Sequence, residues 1–130
     1  MNYAEFLEAV GKRAGMPAAE AAKIVGATLT TLSEGVSGGE ARYLATQLPE
    51  GLRGYLHKEV DFAEQIDLVE FLNEVGARAG TDDERTAEGA RAVLTTLREA
   101  VSAEDLENLE SELPKDFRRL LRPVDRSVGA

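Results

Sequence analysis

The chain has 130 residues, no cysteine, and a net charge of −9 from 24 acidic against 15 basic side chains. That charge argues against a duplex nucleic-acid binder, whose phosphates it would repel, and against adsorption to an anionic membrane surface. It suits a soluble protein with a basic partner, and the missing cysteines exclude disulfides, thiolate metal sites and cysteine nucleophiles.

Asn2 followed by Glu5 reads as a helix start of the capping-box kind. Tyr3, Phe6, Leu7, Val10 and Ala14 then share one helical face. Gly15 sits where a left-handed stop is wanted, and Pro17 suits the first turn of a second helix. That helix runs to about Gly35, with Ala18, Ala22, Val25, Leu29, Leu32 and Val36 as its inner stripe. Ser37 with Glu40 is a capping box for a third helix, lined inside by Ala41, Leu44 and Leu48. Pro49 ends it and opens a short fourth helix carrying Leu52, Tyr55 and Leu56.

Residues 57–66 read as a linker without glycine or serine. Val60, Phe62 and Ile66 are its apolar anchors, so it is expected to be packed rather than loose. The pattern then starts again. Asp67 and Glu70 repeat the first cap, Gly80 the first stop, and Thr81 with Glu84 forms a capping box in place of Pro17. Leu94, Leu97 and Val101 repeat the second stripe. Ser102 with Asp105 repeats the third cap, and Leu113-Pro114 repeats Leu48-Pro49. Arg122-Pro123 stops the copy, and the tail beyond is expected to fray.

The two copies align without a gap, 3–56 against 68–121, and 22 of the 54 positions are identical. No stretch alternates with the period of a half-buried strand. The expectation is an all-α bundle of about eight helices, two tandem repeats of three to four helices related by a pseudo-twofold. It would be one compact domain over 1–130, because a unit of 55–60 residues is marginal alone. Gly11 and Gly76 lie inside a helix in both copies, at a cost of about 1 kcal/mol each against alanine. They predict that another helix approaches closely there. Arg53 and Arg118 follow the Leu-Pro turns and are expected to pair with Glu34 or Glu99. The threonines at 30–31 and 95–96 are expected to pack a methyl inward or bond a carbonyl one turn back.

Chemistry is hard to assemble from this chain. Its one histidine, His57, falls in the linker. There is no phosphate loop, no calcium loop and no Glu-x-x-His pair. The expected catalytic, cofactor-binding and metal residues are therefore none. No apolar run approaches the roughly 20 residues that span a bilayer, and no signal peptide is evident. A cytoplasmic location is expected.

The repeated Phe-Leu-x-x-Val helix, the Leu-Thr-Thr-Leu-x-Glu-x-Val-Ser segment and the Leu-x-x-x-Leu-Pro-x-x-x-Arg segment resemble the family called domain of unknown function 2267. The resemblance covers about Tyr3 to Arg122 and departs at Asp82-Asp83-Glu84. It implies a small, soluble, bacterial, helical protein without an assigned reaction, and brings no catalytic residues. The function read from the sequence is a non-catalytic binding or scaffolding protein acting through contacts with a protein partner or a second copy. Two alternatives stay open. One is an enzyme or carrier of a small anionic ligand, held between the repeats by Arg53 and Arg118. The other is a nucleic-acid-associated factor using the basic end at Lys115, Arg118, Arg119, Arg122 and Arg126.

Overall fold

The computed structural model describes residues 1–58 and 60–121. Helices α1 (Tyr3–Ala14), α2 (Ala18–Glu34) and α3 (Gly38–Gln47) are followed by a 3-10 helix at Glu50–Leu56. Then come α4 (Leu68–Ala79), α5 (Asp83–Ala100) and α6 (Ala103–Glu112). A 3-10 turn at Lys115–Phe117 leads into α7 (Arg118–Leu121). No strand occurs among the described residues, so the fold is all-α. Each of α4, α5 and α6, and the second 3-10 turn, starts 65 residues after its counterpart.

The helix ends follow local chemistry. Asn2 accepts the Glu5 N–H at 2.8 Å, and the Glu5 carboxylate accepts the Asn2 N–H at 3.1 Å, which completes the box. Asp67 accepts the Glu70 N–H in the same way. Gly15 and Gly80 take φ of 65° and 70° and donate to the carbonyls of Gly11 and Gly76. The close approach expected at Gly11 and Gly76 comes at Gly76 from the next helix, through Thr86 of α5, and at Gly11 from the turn that leads into α2. A Cβ on Gly11 would lie 2.9 Å from the Met16 carbonyl oxygen, and one on Gly76 would lie 2.9 Å from Thr86 Oγ1. In both copies the crowding comes from the segment that follows in the chain.

Two caps depart from expectation. The start of α5 is capped by Asp82, which accepts the Arg85 N–H at 2.9 Å, while the Thr81 hydroxyl pairs with that of Thr86. A carboxylate beside the helix N-terminus also meets its dipole, an advantage threonine lacks. Ser37 caps the Glu40 N–H, but its own N–H is taken at 2.7 Å by Glu112, from the end of α6.

Helix α2 is buried almost all round, with Ile24, Val25, Gly26, Ala27, Thr28, Leu29, Thr31 and Leu32 enclosed. Ala18, expected in its stripe, is exposed. It packs against α1, α4 and α5, and α1 also packs against α5. The first helix of each copy thus lies on the second helix of the other copy. Phe6, Val10 and Leu44 join Phe71, Leu97 and Leu109 in one buried cluster. Burying each such side chain stabilises by about 1.5–3 kcal/mol.

The linker is held differently from the way its sequence suggests. Ile66 packs on the core, but Val60 and Phe62 are 49% and 64% exposed. Polar contacts hold the segment instead. The last turn of α2 carries no basic residue, and its end carbonyls need donors. Lys58 Nζ supplies them, reaching the carbonyls of Ser33 at 3.0 Å and of Val36. The Glu64 N–H donates to the Glu34 carbonyl at 2.8 Å, and the Gly38 N–H to that of Asp61 at 3.0 Å.

Candidate functional site

The repeated Leu-Thr-Thr-Leu-x-Glu stretch receives an arginine from the opposite copy. At the end of α1, Arg13 donates to Thr96 Oγ1 at 2.8 Å and to Glu99 at 2.6 Å. At the end of α4, Arg78 donates to Thr31 Oγ1 at 2.8 Å and to both Glu34 oxygens at 2.9 Å. Each threonine passes its own proton to the carbonyl one turn back, Ala27 or Ala92. Hydrogen bonding from Arg13 holds the Glu99 carboxyl below its ordinary value, and Glu34 holds the Arg78 guanidinium above its own.

These clasps correct the expected partners of Arg53 and Arg118, since both glutamates are already engaged. Arg53 is exposed and its Nε donates at 3.3 Å to the Leu48 carbonyl in its own turn. Arg118 and Arg119 are exposed at the start of α7. Arg122 and Arg126 lie outside the described residues. Arg53, Arg118 and Arg119 do not line the cleft described next.

Three adjoining hollows, of about 560, 210 and 360 Å³, follow the linker and share Glu64 in their walls. Among the described residues their carboxylates are Glu34, Glu64, Asp67, Glu70, Glu74 and Glu112. Gly35, Ala63, Ile66, Leu113 and Pro114 contribute the least polar part of the lining. Among the described residues the cations in the walls are Lys58 and Arg78, and both are occupied, one by the α2 carbonyls and the other by Glu34 and Glu74. Glu64 and Glu70 are exposed and have no ion pair among the described residues. The cleft therefore presents negative charge beside an apolar floor. His57 lies at its edge, exposed.

A second acidic meeting place, invisible in the sequence, forms where α3 approaches α6. The Tyr43 hydroxyl bonds Asp105, which raises the pKa of the phenol. Glu40 Oε1 is buried without a hydrogen-bond partner among the described residues. Burial, then the charges of Glu112 and Asp105, push the Glu40 carboxyl above its ordinary value. Among the described residues, no group of three or more acidic or histidine side chains is arranged to hold a metal ion. On the outer side of α1, a groove of about 590 Å³ is lined by Tyr3, Leu7 and Met16, with Glu8 and Lys12 balancing its charge.

Comparison with curated proteins finds no match. The model of one family does match, over residues 3–120, nearly the whole described chain, including both arginine clasps and the acidic cleft. The chain belongs to that family, described as uncharacterized conserved protein (DUF2267).

Proposed function

We propose that the protein is a non-catalytic binding module whose acidic cleft takes a lysine- or arginine-rich segment of a partner protein. The observation that supports this reading is that the described residues of the wall include six carboxylates, while its cations Lys58 and Arg78 are already engaged by carbonyls and by Glu34. Glu64 and Glu70 are then the groups with charge to offer. An apolar floor beside them suits the aliphatic stems of lysine and arginine. No helix among the described residues is long and apolar enough to cross a membrane. The same reading takes the chain as a single folded unit working in the cytoplasm.

An octa-arginine peptide with a fluorescent label is a direct probe. Its anisotropy should rise on titration with the protein, and the affinity should fall steeply as salt is added. An octa-glutamate peptide should not bind. The double variant Glu64→Lys, Glu70→Lys should weaken octa-arginine binding by about tenfold or more, as loss of about 1.4 kcal/mol does. Equal binding to wild type and to the double variant would remove the cleft as the site.

A further inference from the structure

Under the 65-residue offset, position 20 corresponds to 85 and position 24 to 89. In the structure these counterparts touch. Arg85 Nε and Nη2 each donate to Glu20 at 2.6 Å. Gly89 meets Ile24 so closely that a Cβ on it would lie 2.6 Å from Ile24 Cγ1. Equivalent residues meet in this way where a local twofold passes between them. Two identical halves would set glutamate against glutamate there, or arginine against arginine, and isoleucine against isoleucine. The copies differ at these two contacts so that acid meets base and large meets small. Away from this line the contacts are satisfied by identical copies, and there the residues are unchanged: Arg13 to Thr96 and Glu99, Arg78 to Thr31 and Glu34.

We propose that the first half of one molecule can pair with the second half of another, so that a second copy of this chain is a partner by exchange of halves. The contacts of α1 with α5, of α2 with α4 and of α2 with α5 are the interface, and they form between chains as they form within one. Glu20–Arg85 and Ile24–Gly89 are the matching code, which joins first halves to second halves and rejects first halves paired with each other. The connection allows it. From Lys58, held on α2, to Asp67, before α4, nine residues extend to roughly 30 Å once released. This inference is independent of the acidic cleft.

The test uses two full-length variants, Glu20→Arg and Arg85→Glu, each of which sets like charges against each other within its own chain. In an exchanged pair made of one of each, both contacts are again acid with base. The variants are unfolded and refolded at high protein concentration, separately and mixed, and sized by light scattering on a gel-filtration column. The mixture should give several-fold more dimer than either variant alone, and differently tagged chains should copurify. The pair Ile24→Gly and Gly89→Ile repeats the design without charge, for the case in which the first variants do not fold. The double variant Glu20→Arg, Arg85→Glu should return to the melting temperature and the monomer content of the wild type. No excess of dimer in either mixture would overturn the proposal, whether the variants fold or not.

Discussion

Glu40 and Glu99 should respond to pH in opposite directions. The Glu99 carboxyl is held below its ordinary value of 4.5 by Arg13. Its stabilising share is present above that value and is lost as pH falls through the lower, folded pKa. Glu99→Gln should therefore cost about 0.5–1 kcal/mol at pH 7, as half-exposed pairs do, and nothing in strong acid. Glu40 is raised, so the native state binds its proton more tightly than the unfolded chain does. Ionised Glu40 then opposes folding at neutral pH, and the opposition fades as pH falls towards 4.5 and below. Glu40→Gln should raise the melting temperature at pH 7 and leave it unchanged in acid, which thermal melts across pH will show. A loss of stability at pH 7 would mean that the buried carboxylate has a partner. The Ser37–Glu40 spacing was readable as a cap because a cap is local. The burial of the carboxyl was not readable, because it depends on α6, which is brought there by packing between the copies.

Element ends were legible for the same local reason: Asn2, Gly15, Asp67 and Gly80 act within one turn of themselves. The linker was not. Its apolar residues Val60 and Phe62 suggested anchors, yet both face solvent, and Lys58 does the holding from more than twenty residues along the chain. Apolar residues in a short segment mark burial only when a surface lies opposite them, and sequence spacing cannot show that surface. Lys58→Met keeps the length of the side chain and removes the donor and the charge. The loss should be about 1 kcal/mol of global stability, within the range for a cation at a helix C-terminus. The larger effect should be local. Amide exchange at Glu64, whose N–H bonds the end of α2, should quicken while α4 and α5 keep their protection. Unchanged exchange at Glu64 would show that backbone contacts hold the linker without the lysine.

At the scale of the whole molecule, the copies were legible in the sequence but their interlocking was not. Twenty-two shared identities say that one pattern occurs twice. They do not say which copy Arg13 reaches, and the spacing pointed to Arg53 and Arg118, rather than Arg13 and Arg78, as the partners of Glu34 and Glu99. The acidic cleft was foreshadowed by the net charge alone, since its walls come from α2, the linker, α4 and α6. Interlocking has a consequence for stability. Leu97, fully buried in α5, belongs to the second copy, yet α5 packs on α1 and α2 of the first. Leu97→Ala should cost about 2–5 kcal/mol, the usual range for a buried leucine truncation. The melt should remain a single transition at lower temperature, because loosening α5 removes the surface on which α1 rests. Amides at Val10 and Ala14 should then exchange as much faster as those of Leu94, although every residue of the first copy is unchanged. If α1 and α2 kept their wild-type protection while α4 and α5 lost theirs, the halves would be separate folding units joined by the linker. The shared cluster around Phe6 and Leu97 would then be a contact between two domains rather than the centre of one.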